Sequence, residues 1–205
     1  MKIRSLGLVA YEPTWRAMQA FTRSRDATTG DELWLLQHPP VFTLGLAGRD
    51  AHVLAPGDIP VVRTDRGGQV TYHAPGQLVA YALLDLKRLG IGVRELVRRL
   101  EQAAIEVLAG YGLAGERIPG RPGVYVDGRK IAAVGLRVAR GCSYHGLALN
   151  VDLALEPFGR IDPCGYPGLE STSLAALGVR DSIESVQQRL AAALRRALAA
   201  EAVLA

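Results

Sequence analysis

The sequence predicts an α+β fold, a mixed, largely antiparallel sheet with flanking helices. Three observations lead there. Short apolar runs bounded by Gly, Pro and Asp outnumber the helical stretches. Hairpin signals join several of these runs, which a doubly wound parallel sheet would not show. The two long helical patterns carry one apolar stripe each, the mark of helices packed on a sheet face.

In order along the chain, Tyr11 to Arg25 reads as a helix, with Pro13 in its first turn, where the missing N–H costs nothing. Glu32 to Gln37 and Val41 to Leu44 read as strands around the His38-Pro39-Pro40 break, and Gly57 to Pro60 as loop. Val61-Val62-Arg63 and Val70-Thr71-Tyr72 are strand-like and flank Gly67-Gly68, and Leu78 to Leu84 suits a buried strand. Val93, Leu96, Val97, Leu100, Ala104, Val107 and Leu108 recur at helical spacing until Gly110 and Gly112 stop the helix. Val124-Tyr125-Val126, then Asp127-Gly128, then Arg129 to Val138 gives the clearest hairpin, because Asp-Gly readily takes the positive φ of a tight turn. His145 to Val151 is a further strand. Asp181 is expected to open a last helix, with Glu184 reciprocating in a capping box and Ile183, Val186, Leu190, Leu194 and Leu198 as its apolar stripe.

The bulk numbers narrow the class. A chain of 205 residues that is 49% hydrophobic and 21% charged suits one globular catalytic domain spanning residues 1–205. The apolar run at the N-terminus is short and ends at Tyr11-Glu12-Pro13, and no stretch approaches the ~18 uninterrupted apolar residues of a membrane span, so the expected location is the cytoplasm. A net charge of +4 without a dense Lys/Arg run speaks against nucleic acid. Cys142 and Cys164 are too few for a disulfide scaffold and lack metal spacing. Of 24 cations only Lys2, Lys87 and Lys130 are lysines. A surviving lysine draws attention, because a lysine can release a proton in a low-dielectric site whereas an arginine cannot.

Three segments concentrate chemistry. Thr64 to Gln77 packs Arg66, Gln69, Thr71, Tyr72 and His73 around Gly67-Gly68, whose backbone N–H groups can approach a carbonyl, a phosphate or an acyl chain. A simple tight turn is the alternative. The segment is neither a GxGxxG fingerprint nor a Walker loop, so nucleotide binding lacks support. In Gly128 to Leu136, period-two alternation places Lys130 on one face with Ala132 and Val134, small neighbours that leave room for a ligand. A solvent-facing strand lysine fits the same pattern equally well. In Asp162-Pro163-Cys164-Gly165-Tyr166-Pro167-Gly168, Cys164 sits in a rigid non-helical loop, unlike the usual buried free cysteine, a description that suits Cys142 better. His73 and His145 read as site lining, since no carboxylates are spaced to complete a metal site with them.

Together these segments resemble the octanoyltransferases of lipoate assembly, the lipoate-protein ligase B family. The resemblance rests on Arg66-Gly67-Gly68-Gln69-Val70-Thr71-Tyr72-His73 with Pro75-Gly76-Gln77, on Lys130-Ile131-Ala132-Ala133-Val134-Gly135, on His145 to Val151, and on Pro163-Cys164-Gly165 with Thr172-Ser173-Leu174. It runs in consistent order from about Tyr11 to Leu174. It implies the fold shared by biotin and lipoate ligases, and transfer of an octanoyl or lipoyl group from acyl carrier protein to a lysine of lipoyl domains. Those domains would belong to 2-oxoacid dehydrogenases and the glycine cleavage H protein. The resemblance further implies a thioester on Cys164 with Lys130 beside it. By the same similarity Arg66, Gly67, Gly68, Gln69, Val70, Thr71, Tyr72 and His73, then Ala133, Val134 and Gly135, then Gly146, Leu147 and Ala148 line the acyl pocket. No cofactor, metal, nucleic acid or membrane is implied, because exchanging one thioester for another needs no nucleotide. One departure is Ala74, where many relatives have glycine. Backbone N–H groups near Gly67-Gly68 or the Cys164 loop are expected to stabilise the oxyanion. The competing readings are an ATP-dependent lipoate or biotin ligase, a non-catalytic lipoyl-domain-binding protein, and a thiol hydrolase.

Overall fold

The computed structural model describes residues 1–162 and 168–199. Its main element is a seven-stranded sheet in the order β1-β2-β6-β10-β9-β8-β7. The strands are β1 (Lys2–Leu8), β2 (Glu32–Gln37), β6 (Gln77–Leu83), β7 (Glu116–Ile118), β8 (Arg121–Val126), β9 (Arg129–Ala139) and β10 (Cys142–Asn150). Only β1 and β2 pair in parallel within it. A second, three-stranded sheet has β3 (Val41–Leu44) between β4 (Val61–Arg63) and β5 (Val70–His73). The mixed, largely antiparallel α+β architecture is as expected. The edge strands β1 and β7 went unread, because half-exposed polar residues blur their alternation.

The large sheet separates two apolar layers, and β6 shows how. Leu78, Ala80 and Ala82 pack under the helix pair α2 (Val93–Ala109) and α3 (Ile183–Ala199), with Leu96, Leu100, Val186, Leu190 and Leu194. Val79, Tyr81 and Leu83 point the other way, to a cluster holding Met18 of helix α1 (Tyr11–Ser24). The small sheet has its own core of Phe42, Leu44, Val70, Tyr72 and Phe158. Ala74 joins that core and is not among the residues with positive φ, so its methyl is accommodated without backbone strain.

Local chemistry sets the element ends. Helix α2 closes as the glycines suggest: Gly112 takes φ +75°, its N–H reaches the Ala109 carbonyl, and Leu113 N–H returns to Leu108. Helix α3 starts at Ile183, one residue later than a cap at Asp181 implies. Its cap is Ser182, whose Oγ accepts from the Ser185 N–H at 3.1 Å, while Asp181 holds Ser185 Oγ at 2.8 Å. Ser185 thus takes the place the capping box gave to Glu184.

The β8–β9 hairpin turns at Asp127 and Gly128, with φ of +49° and +74°. Beyond it the ladder slips: Tyr125 pairs with Lys130 but Val124 pairs with Ala132, so Ile131 is an extra residue. Such a bulge turns two successive side chains to one side. Ile131 and Ala132 both enter the helix-side core, and Lys130 emerges on the opposite face with Ala133 and Gly135. This corrects the grouping of Lys130 with Ala132, since unbroken alternation fails at one inserted residue. Val134 touches both the core and the opposite wall.

His38, fully buried, links the segment between β1 and α1 to β6. Its Nδ1 lies 2.7 Å from the Val9 carbonyl, which can only accept, so Nδ1 carries the hydrogen and Nε2 accepts from the Tyr81 hydroxyl at 2.7 Å. Burial lowers the His38 pKa to about 4, against the opposing pull of the Val9 carbonyl.

Two predictions follow from this frame. Gly76 has φ +87°, and a Cβ there would lie 1.8 Å from the Asp152 carbonyl oxygen, whereas Gly30 has open space. Gly76→Ala should cost about 3 kcal/mol or more in denaturant unfolding and Gly30→Ala almost nothing; equal effects would refute the packing argument. Unfolded His38 would bind its proton near pH 6.5 and folded His38 only near pH 4, so its stabilisation is complete above 6.5 and is lost as pH falls towards 4. Lowering pH from about 7.5 to about 5 should remove about 2 kcal/mol through His38, and His38→Gln should flatten that slope.

Candidate functional site

On the face of the large sheet opposite α2 and α3 lies a cavity. Its floor comes from β6, β10 and β9, and its cover from β5, the Arg66–Gln69 loop, Tyr11 and Phe158. The floor pairs Tyr81 with Gly146, Val79 with Ala148 and Gln77 with Asn150, and Ala148 and Gly146 in turn face Ala133 and Gly135 of β9.

The loop that closes the cavity is held by its acidic member. Asp65 receives Trp15 Nε1 at 2.7 Å, Gln19 Nε2 at 3.0 Å, His145 Nε2 at 3.0 Å and the Tyr144 hydroxyl. Burial pushes its pKa up, but the four donors more than reverse this and hold the carboxyl well below the usual carboxylate range. His145 has φ +60°, a left-handed conformation that costs a non-glycine residue roughly 1–2 kcal/mol. The consequence is visible in the rings: Tyr144 and His145, neighbours in a strand, stack at 5.1 Å on one face instead of pointing to opposite faces. Both therefore reach Asp65.

Arg66 is buried, and its guanidinium bonds to Thr43 Oγ1 from Nε at 3.0 Å and to the Gly67 carbonyl from Nη1 at 3.0 Å. The Gly67 N–H donates to the Leu136 carbonyl at 2.8 Å, which fastens the loop to β9. That bond commits the Gly67 hydrogen, so the Gly67 N–H is not among the groups near Gly67-Gly68 left to meet an oxyanion. Gly45 makes the loop's close approach possible, as a Cβ there would sit 2.3 Å from the Gly68 oxygen.

A buried polar relay crosses the far end of the cavity. Gln77 Nε2 donates to the Tyr72 carbonyl at 3.1 Å and to Asn150 Oδ1 at 2.9 Å, so its Oε1 must accept the bond from His73 Nδ1 at 2.7 Å. Burial, the nearby His38 and Arg66 lower the His73 pKa well below its ordinary value, and burial lowers that of His145 despite Asp65. Both rings are neutral at pH 7. His73 carries its hydrogen on Nδ1, leaving Nε2 to accept from Thr43 Oγ1 at 3.3 Å. Asn150 Nδ2 continues the relay to the Thr172 carbonyl at 2.8 Å.

The same segment grips Lys130 by its backbone. Lys130 N–H donates to Glu170 O and Thr172 N–H to Lys130 O, both at 2.9 Å. The Lys130 side chain is buried, lines the cavity beside Ser171 and Asn150, and sets its Nζ 5.4 Å from the centre of the Tyr125 ring. Gly123 leaves room for it, since a Cβ there would come within 3.1 Å of the Lys130 Cε. The reading of Lys130 as a solvent-facing lysine is therefore excluded.

Twelve of the fourteen residues expected to line an acyl pocket do line this cavity: Arg66, Gly68, Gln69, Val70, Thr71, His73, Ala133, Val134, Gly135, Gly146, Leu147 and Ala148. Gly67 instead borders an outer groove with Leu136 and Val138, and Tyr72 turns into the small sheet, against Phe42 and Phe158. Cys164 lies outside the described residues. Cys142 is buried at the start of β10. Unforeseen lining comes from Tyr11, Val79, Tyr81 and Phe158. An aromatic such as Tyr81 in an otherwise aliphatic strand was the one available signal for them.

The site's geometry stands beside clear relationships to known proteins. Residues 10–195 match the model of the lipoyl protein ligase A/B catalytic domain. The chain is 62% identical over 196 residues to an octanoyltransferase of Thiobacillus denitrificans, covering 96% of this chain and 90% of that protein. It is 60% identical over 191 residues to one of Pseudomonas fluorescens, covering 93% and 89%. Among solved structures it is similar to a lipoate-protein ligase A bound with ATP (TM-score 0.77, 16% identity, 97% of this chain and 86% of that one). A biotin protein ligase of Aquifex aeolicus gives a TM-score of 0.56 at 12% identity, over 97% and 69%. These two likenesses bear on fold, and they bear out the biotin/lipoate ligase-like architecture expected from the motifs. The chain belongs to the lipoyl protein ligase A/B catalytic-domain family, within its octanoyltransferase branch.

Proposed function

We propose that this protein is an octanoyl-[acyl carrier protein]:protein N-octanoyltransferase, one catalytic domain acting in the cytoplasm during lipoate assembly. The donor is acyl carrier protein, and the acceptors are lysines on the lipoyl domains of 2-oxoacid dehydrogenases and the H protein of glycine cleavage. The observation that supports this most directly at the site is the buried Lys130 ammonium, turned by the Ile131 bulge into a cavity whose walls are mostly hydrocarbon. The high identity to octanoyltransferases over nearly the whole chain supports the same reading. Among the described residues no helix is long and apolar enough to cross a membrane.

In the proposed mechanism the Cys164 thiolate attacks the carbonyl of the carrier thioester. The new carbon–sulfur bond forms as the carrier thiolate leaves with a proton. A free thiol with a pKa of ~8.5 is only a few per cent thiolate at pH 7, so a neighbouring ammonium raises the reactive fraction. The target lysine then attacks the Cys164 thioester as a neutral amine, forms the amide and releases the thiolate, and Lys130 relays the proton it sheds. The neutral His73 and His145 and the satisfied Asp65 fix the cavity walls and take no charge in the exchange.

A ligase reading differs in its chemistry, because an adenylate-forming enzyme requires ATP and no cysteine nucleophile, so omitting ATP separates the two. Intact mass after mixing the protein with octanoyl carrier protein, without nucleotide, should show one octanoyl adduct. Cys164→Ala should abolish it, and an adduct that persists in this variant would end the proposal. Lys130→Arg should lower turnover by about a hundredfold or more while leaving the fold intact, since arginine keeps charge but cannot exchange a proton. Undiminished turnover would remove Lys130 from its role.

A further inference from the structure

The cavity floor is ruled in three rows by the register of β6, β10 and β9. Gln77 and Asn150 form a polar row, with Lys130 at the same end of the cavity beyond the Ile131 bulge, Val79, Ala148 and Ala133 form an apolar row, and Tyr81, Gly146 and Gly135 a closing row. On β6 and β10 adjacent rows are two residues apart, about 7 Å, so the floor runs about 13 Å from the polar to the closing row.

The rows give the cavity a direction. The polar end holds the ammonium and the Gln77–Asn150 amide pair. At the closing row the polar atoms are engaged in bonds already made: Tyr81 Oη to His38, His145 Nε2 to Asp65, and Arg66 to Thr43 and the Gly67 carbonyl. With those donors committed, this end offers a ligand chiefly the Tyr81 ring and glycine backbone, a surface that suits hydrocarbon better than the polar row does. A carboxyl derivative therefore places its carbonyl on the polar row and its alkyl tail on the closing row.

The two glycines of the closing row admit no side chain. A Cβ on Gly135 would meet the Gly67 oxygen at 3.0 Å, and one on Gly146 would meet the Ala80 oxygen at 2.1 Å, both backbone atoms. Length control falls to the middle row, where Val79 is the only residue larger than alanine. We infer that Val79, acting with Ala148 and Ala133 across the sheet, is the specificity-determining residue that fixes how long an acyl chain this protein accepts. The inference rests on the acyl-transfer reading for its substrate class, and on the register alone for the residue.

The test uses a ladder of hexanoyl, octanoyl, decanoyl and dodecanoyl groups. Covalent loading from each acyl carrier protein is read by intact mass, and the corresponding free fatty acids are scored by the rise they give in unfolding temperature, a measurement that needs no nucleophile. Ala148→Val should move the optimum of both ladders from octanoyl towards hexanoyl, with decanoyl falling about tenfold relative to the optimum. Val79→Ala should move it the opposite way, towards decanoyl, which a merely damaged fold would not do. Variants whose ladders keep the wild-type optimum, or fall equally at every length, overturn the inference. If wild-type protein binds the fatty acids with a length optimum but loads none of the acyl groups, the transfer reading fails, and the shift of that optimum in the two variants still decides the role of Val79.

Discussion

The Asp65 carboxylate is the junction on which the site depends. It gathers donors from α1, through Trp15 and Gln19, and from β10, through Tyr144 and His145. A half-buried carboxylate with too few partners would be destabilising, whereas one with four anchors three parts of the chain at once. It offsets the left-handed backbone at His145 and holds the adjoining Arg66-Gly67-Gly68 loop down on β9. Without that anchor the loop would be left with the Gly67–Leu136 bond, the backbone of residues 45–47 and the Arg66 bonds to Thr43 to keep it over the cavity.

The neutral histidines extend the same logic. His38, His73 and His145 are each buried, each engaged in a hydrogen bond that fixes a tautomer, and each shifted towards the uncharged form by burial. The histidines of the cavity thus present no charge of their own, and the charged groups that line it are the Lys130 ammonium and the Arg66 guanidinium, the latter bonded to Thr43 and the Gly67 carbonyl. A fold shared with an ATP-bound ligase at 16% identity can carry different chemistry for this reason. The scaffold supplies a sheet with a covered face, and a few side chains decide what that face does.

Much of this was legible in the sequence because period and punctuation are local. The Asp127-Gly128 turn, the α2 stripe with its glycine stop, and the strands around His38-Pro39-Pro40 each announce themselves within a dozen residues. The cavity lining was legible through motif density between Arg66 and His73 and through the small residues of β9 and β10. What escaped depends on long-range partners. Tyr11 and Val79 reach the cavity only because α1 and β6 lie beside β10, and Ser182 displaces Glu184 as the helix begins late. Asp65 looked like one acid in a polar loop, since nothing local reveals four donors drawn from residues 15 to 145.

The inserted Ile131 shows that the direction of a key side chain can be encoded by counting. Lys130 looks into the cavity because one residue too many stands between it and Ala132 on the β8 side of the ladder. Lys130 faces inward without help from its own chemistry, and many residues at position 131 would serve so long as one is there. Chain length between the hairpin turn and Ala133 is accordingly a more rigid requirement than composition: this stretch can drift in sequence far more freely than it can gain or lose a single peptide unit.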